Sequence, residues 1–423
     1  MFRVALVAAL LLASAVVAAA QTENIVHRFM ANTTTDGQTP QASLVADASG
    51  NVYGTTIQGG TAGAGTVFEL SPPATAGGPW TETILHNFTG GADGMNPSDG
   101  LAFDHAGNLF GATYYGGVGV NGNSFGTVYE LSPSGGTWTY SVIFSFDDAQ
   151  VANSPFSNLV FDQAGNLYGV SNGFISSADC GGPCGNVFQL RPPAVTGGAW
   201  TGRALHAFNG HLTDGYRPNG VILIPGGTLY GTTNSGGTNH TGTFFKLTPP
   251  ATSGGGWTET ILFNFPTPNG YPVGLILGGN GTFFGTADSG FDFGEIFQMI
   301  PPSSGGDWTE SVLYTFPSRS EGVAPVGGLL RDRRGNLFGA TQYGGTVATD
   351  CFGVECGLIY ELSPPAFSGG AWTKTTLHNF TGDRDGSTPT SALIFVKGVL
   401  FGETDYGGTQ NSELGGTVFR LVP

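Results

Sequence analysis

Lysine is nearly missing from this chain: among 423 residues it stands only at Lys246, Lys374 and Lys397. Lys and Arg together number 14 against 30 Asp and Glu, a formal net charge of −16. A nucleic-acid binder needs clustered cations to displace counterions from phosphate, and an anionic membrane surface asks for the same. Both partners are disfavoured. Charged residues of either sign make up only 10% of the chain, against an ordinary share of about 25%. Too few Lys, Glu and Arg remain to lace helix faces, and 72 glycines oppose helix further. Coiled coils, helical bundles and charge-rich disorder are therefore disfavoured. The chain also lacks His-Glu-x-x-His, Gly-x-Ser-x-Gly and a phosphate-binding Gly-Lys-Ser/Thr.

What is present suits a large core of short strands: 39% of the residues are hydrophobic and 12% aromatic. Met1 to Ala20 reads as a secretory signal peptide. One Arg precedes an uncharged apolar run, and Ala18-Ala19-Ala20 precedes Gln21. The run is short for a membrane span, and no later stretch could cross a bilayer. Cleavage near Ala20 leaves 21–423 as one repeat domain, secreted to the periplasm or beyond. The four cysteines form two local pairs, Cys180 with Cys184 and Cys351 with Cys356. Two short-range disulfides suit an exported chain. A four-cysteine zinc site is the alternative.

Trp80, Trp138, Trp200, Trp257, Trp308 and Trp372 each follow a turn-forming stretch and precede Thr, at nearly regular intervals. Tandem units are the reading. Each unit carries four strand-like runs bounded by Gly, Pro or Asn; in the second they are TETILHNF, GLAFD, LFGAT and GTVYELSP. Gly54, Gly111, Gly169, Gly231, Gly285, Gly339 and Gly402 mark one point of the LFGAT-type run, each after an aromatic residue. Gly weakens a strand unless something must approach closely, so a neighbouring sheet is expected there. Seven such units predict an all-β, seven-bladed β-propeller of four-stranded antiparallel blades. The chain starts with Glu23–Phe29, of the fourth-strand type, and ends with 416–421, of the third-strand type. The first should pair with the last blade and close the ring.

LYGTT-x-x-GG, GTVFELSPP, WTETILHNFTGGADG and FDHAGNLFGA together resemble the GloVer-type, choice-of-anchor extracellular tandem-repeat family of bacterial secreted proteins. The resemblance covers Glu23 to Pro423. It implies an exported bacterial propeller with no established enzymatic activity. In that family the repeats are joined to one of several surface anchors. This chain stops at Arg420-Leu421-Val422-Pro423 without a hydrophobic one, which puts surface attachment in doubt.

The loop leading into each innermost strand carries a recurrent Asp-Gly-x-x-Pro, with Asp36, Asp93, Asp214 and Asp385, and Glu321 in a variant. Turn chemistry accounts for it: Asp bonds local amides, Gly takes positive φ and Pro fixes the strand entrance. The sharper reading is a carboxylate ring at the channel mouth that holds calcium or sugar hydroxyls. His27, His86, His206 and His378 share one strand position with Phe144, Phe263 and Tyr314. That interchange points to packing on a sheet face, not to metal ligation. His105, His211 and His240 are isolated, and Asn32 and Asn239 are potential glycosylation sites. No cofactor is expected. The leading function is a secreted, non-catalytic, monomeric binding propeller for a polysaccharide, a surface protein or a small ligand. A carbohydrate-active hydrolase or lyase is the rival, with Asp147, Asp148, Asp292 and Glu295 as acids outside the repeat pattern. A structural envelope component is the third reading.

Overall fold

The computed structural model describes residues 23–423 apart from 31–34, 98–99, 120–124, 147–153, 157, 172, 174–175, 178–179, 181, 196, 253, 268–269, 289–292, 346–350, 352–354, 368 and 409–414. Seven antiparallel sheets follow one another as the blades of a β-propeller. In blade 1 the inner strand is Gly37–Pro40 with Val45–Ala46, followed outward by Val52–Gly59, Thr66–Ser71 and Thr81–Asn87. The outer strands of blades 2 to 6 are Thr137–Ser145, Thr201–Ala207, Thr258–Asn264, Thr309–Thr315 and Thr373–Asn379. Among the described residues there is no α-helix, only a single 3₁₀ turn at Arg319–Glu321. Stacking explains the sequence pattern. The second strand of blade 2, Leu109–Thr113, is buried throughout and reads as a continuous small or apolar run. The outer strand Thr81–Asn87 is half-exposed and alternates.

The ring closes as the repeat count requires. Glu23–Arg28 is the outer strand of blade 7, antiparallel to Thr417–Leu421, with Glu23 opposite Leu421 and Arg28 opposite Thr417. Phe29 N–H continues the join by donating to the Gly416 carbonyl at 3.1 Å. Closure is therefore non-covalent.

Apolar cores fill the seams between blades. Phe29, Phe401 and Val418 of blade 7 pack with Leu44, Val52 and Phe68 of blade 1. The aromatic residue before each column glycine faces the next blade, where a tryptophan meets it in six seams and Phe395 meets Phe338 in the seventh. Tyr53 contacts Trp138 at 5.8 Å, Phe110 contacts Trp200 at 6.1 Å and Phe401 contacts Trp80 at 5.5 Å between ring centroids. Burial of each ring contributes on the order of 2 kcal/mol. The column glycine itself has a different cause from the expected neighbouring sheet. A ring from the third strand of the same blade lies over it: a Cβ on Gly111 would collide with the Tyr129 hydroxyl.

The Asp-Gly-x-x-Pro loop docks each blade on its predecessor. Its last x residue has positive φ in all seven blades, as at Thr39 (φ 57), Asn96 (φ 55) and Arg217 (φ 57). The N–H of that residue donates to a carbonyl in the loop between the second and third strands of the previous blade. Thr39 bonds Gly415 at 2.9 Å, Arg217 bonds Cys184 at 2.8 Å and Thr388 bonds Cys356 at 2.8 Å. The following proline sits over a glycine: Cδ of Pro97 would be 2.7 Å from a Cβ on Gly65. Strained backbone of this kind costs about 1–3 kcal/mol per residue and persists only where its surroundings over-determine it. Here the seam supplies the surroundings.

Candidate functional site

The lead-in carboxylates sit in separate seams, and the four aspartates are each bound to their own loop. Asp36 Oδ2 accepts from Met30 N–H at 2.8 Å. Asp93 accepts from the N–H and hydroxyl of Thr89, and Asp385 from those of Thr381. Asp214 Oδ2 accepts from Asn209 N–H at 3.0 Å. Glu321 instead accepts from Lys374 Nζ at 2.8 Å. Burial opposes ionisation of Asp93 and Asp385, but hydrogen bonds outweigh it, from Thr89 and His86 to Asp93 and from His378 and Thr381 to Asp385, and hold both below the usual carboxylate range.

The four column histidines stand beside those carboxylates, on the outer strand that precedes each loop. His86 Nε2 lies 3.2 Å from Asp93, His206 Nε2 3.3 Å from Asp214 and His378 Nε2 3.2 Å from Asp385. His27 Nε2 lies 3.6 Å from Asp36. The rings also pack edge-on against Phe29, Phe88, Phe208 and Phe380, as aromatic interchange implied. The sequence reading missed a third group. The residue four before the column position in the next outer strand faces the histidine. It is Glu82 opposite His27, Glu259 opposite His206 and Tyr140 opposite His86. Burial, ahead of the nearby charges, pushes Glu82 and Glu259 up to about 7. Aligning the repeats as columns would have exposed this pairing.

Both cysteine pairs are disulfides, with Cα atoms 5.4 Å apart in each. The carbonyls of Cys184 and Cys356 receive the docking bonds from the next blade, so the bridges brace two seams on the lead-in face. Asp147, Asp148, Asp292, Asn32 and residues 1–20 lie outside the described residues. Glu295 is buried in blade 5. Burial first and the Glu295 charge second push its neighbour Glu310 up to about 8. His105, His211 and His240 are exposed on loops.

A cavity of about 300 Å³ occupies the axis, where the inner strands converge. Gln41, Ser43, Asn158, Asn219, Thr390 and Ser391 supply its polar wall, and Phe156, Val273 and Leu275 supply apolar surface. Its described lining residues include no carboxylate, histidine, lysine or cysteine. Ser391 Oγ is buried there with no hydrogen-bond partner among the described residues. Behind the wall, Asp405 accepts from Gln41 Nε2 at 2.8 Å and from the Thr390 hydroxyl at 2.6 Å. Burial raises Asp405 to about 7. Glu403, two residues earlier, is buried between blades 7 and 1, and neither of its oxygens has a hydrogen-bond partner among the described residues. Burial and then the Asp405 charge raise it well above the carboxylate range. Glu403 stands in a column otherwise filled by Thr, Ala and Val, as at Thr55, Ala112 and Val170. That break in the repeat was the available signal.

Among the described residues no helix is long and apolar enough to cross a membrane. Three solved structures illustrate the fold. A fungal alcohol oxidase of the AA5 family, in complex with copper, is 11% identical with a TM-score of 0.57; the match covers 94% of this chain and 76% of that one. A protein from Lactobacillus plantarum is 12% identical with a TM-score of 0.52, over 91% of this chain and 100% of that one. An extracellular domain described as part of a hybrid two-component system from B. thetaiotaomicron is 14% identical with a TM-score of 0.55. That match covers 94% of this chain and 42% of the other, so this chain spans less than half of its length. At such identities the likeness concerns fold alone. No curated protein matches the chain. The sequence itself matches the Gloeobacter/Verrucomicrobia repeat over residues 15–196 and 181–349, most of its length. The chain belongs to the Gloeobacter/Verrucomicrobia repeat family.

Proposed function

We propose that this propeller is a secreted, non-catalytic binding protein that takes a small neutral polyhydroxylated ligand, such as one terminal unit of a polysaccharide, in its axial cavity. The cavity wall carries the reading: amides and hydroxyls converge from several blades around a space of about 300 Å³. That is the lower end of ligand pockets, roughly 300–1,000 Å³. Amide and hydroxyl groups match sugar hydroxyls, and the Ser391 hydroxyl offers a bond that no partner among the described residues takes. A net charge of −16 works against anionic ligands. Export is supported by the two disulfides and by the leader-like N-terminus. Against a hydrolase or lyase stands the described lining, which has no acid or base to move a proton.

A panel of neutral mono- and oligosaccharides, screened by glycan array and followed by calorimetry, tests this. At least one should bind, and Ser391→Ala together with Asn158→Ala should weaken it about tenfold or more, which is roughly 1.4 kcal/mol. Turnover of a bound saccharide would replace the reading with the enzymatic one. Binding indifferent to both substitutions would move the site away from the axis.

A further inference from the structure

We propose that the rim of the propeller carries two sites for a first-row divalent cation of the Zn²⁺ class, one formed by His27, Asp36 and Glu82 and the other by His206, Asp214 and Glu259. In the first, His27 Nε2 stands 3.6 Å from Asp36 Oδ1 and 3.6 Å from Glu82 Oε2. Each trio places its ligand atoms within 4.8 Å of one another. A separation of 3.6 Å is too long for a hydrogen bond. It suits donors around one ion, because metal bonds of about 2.0–2.2 Å put tetrahedral ligands roughly 3.2–3.6 Å apart. In the second site His206 Nε2 is within hydrogen-bond distance of Asp214 Oδ1, at 3.3 Å, an oxygen that also accepts from Gly215 N–H, and it lies 3.5 Å from Glu259 Oε2.

An independent observation points to an occupant. Asp36 is only 3% exposed. Its Oδ1, together with His27 Nε2 and Glu82 Oε1, is buried without a hydrogen-bond partner among the described residues. Buried polar atoms are rarely left unpaired, and here three share one small space. Glu259 Oε1 is likewise unpaired in the second site.

The remaining seams show what removes such a site. Tyr140 replaces the glutamate and stacks on His86 at 3.7 Å. Phe144 replaces the histidine, and its ring occupies the space a side chain would need at Gly202. Lys374 puts an ammonium in place of the carboxylate and bonds Glu321. His378 and Asp385 keep two members, with Glu23 outside ligand range of them. Glu310 retains the carboxylate at the seam where Phe263 holds the histidine position.

One imidazole nitrogen and two carboxylate oxygens, with water as a fourth ligand, make a Zn²⁺-type donor set. Calcium asks for six to eight oxygens, so it fits these trios poorly. In each trio the ligands come from one blade's outer strand, the connecting loop and the next blade's outer strand. A bound ion would therefore cross-link adjacent blades. At the first site His27 belongs to the strand that closes the ring, so the ion would pin that closure.

The test uses the untagged chain, stripped by a chelator and titrated with ZnCl₂ by calorimetry, with metal counted after desalting. Two ions per chain are expected, with a rise in melting temperature. His27→Gln and His206→Gln should each retain one ion, and the double variant none. His86→Gln, in a seam without the glutamate, should retain two, and CaCl₂ should give no saturable binding. Circular dichroism checks that each variant folds, and Glu82→Gln or Glu259→Gln stands in for a histidine variant that does not. No uptake by the folded wild-type chain, or undiminished uptake in the double variant, overturns the proposal.

Discussion

Between blades 1 and 2, and again between blades 3 and 4, the chain repeats one loop motif beside one histidine. The two rings are nevertheless driven in opposite directions. Burial lowers the pKa of His86, and the Asp93 hydrogen bond and charge do not recover it. Burial also opposes protonation of His206, but the Asp214 bond and the charges of Glu259 and Asp214 outweigh it and raise the pKa. The facing residue separates the two cases. Tyr140 lies flat on His86, with rings 5° from parallel, while Glu259 brings a carboxylate to 3.5 Å from His206. The loop motif builds the seam, and one residue on the opposite strand sets its electrostatics.

The comparison presupposes a closed ring, so the largest effect should come from opening it. The seam between blades 7 and 1 depends on a strand from the far end of the chain. Deleting Glu23–Phe29 should abolish cooperative melting. Phe29→Ala, at a fully buried position, should cost about 3–5 kcal/mol in urea denaturation. An unchanged midpoint in both would mean that closure carries no stability.

The closing seam also gathers carboxyl groups that the two compared seams lack. Glu403 is raised well above the usual range and Asp405 to about 7, both chiefly by burial. A carboxyl with a raised folded-state pKa contributes stability that is complete below its unfolded value and lost as pH rises through the folded value. Metal-free protein should therefore be more stable near pH 5 than near pH 8. The loss is about 1.4 kcal/mol for each tenfold difference in proton affinity. Glu403→Gln should flatten that slope, and an equal slope in the variant would clear Glu403 of responsibility.

Exchanging the facing residues breaks the comparison directly. With Tyr140→Glu, His86 should titrate higher by NMR, and a third Zn²⁺ should bind. With Glu259→Tyr, His206 should titrate lower and one ion should be lost. Loss of the Tyr140 stack, and of its hydrogen bond to the Asp93 carbonyl, should cost Tyr140→Glu about 1–3 kcal/mol.

These cases show what a single sequence reveals. Blade number, strand order and closure were legible because the tryptophans, the column glycines and the terminal strand types recur along the chain. The ring over Gly111 was not, since only the register Gly111–Tyr129 brings that phenol across the strand. His27 and Glu82 are one repeat apart, and neither looks unusual in its own unit. They meet because blades stack face to face with an offset, which pairs a column position in one repeat with the residue four earlier in the next. Glu403 was overlooked for another reason. Its neighbours in sequence are ordinary, and it stands out only against Thr55, Ala112 and Val170 in the other blades.

Glu259→Gln gives the smallest change in stability and the cleanest separation of shape from charge. The amide keeps the side chain's size while removing one of the two charges that hold the His206 proton. If charge sets the difference between the seams, His206 should titrate lower, although Asp214 and the loop around it remain. Stability should shift by no more than about 1 kcal/mol, because partly exposed ion pairs contribute little. His86 should not move, since its seam is untouched. A His206 pKa that stayed raised would credit Asp214 alone, and Tyr140 would then act on His86 by excluding water and not by lacking a charge.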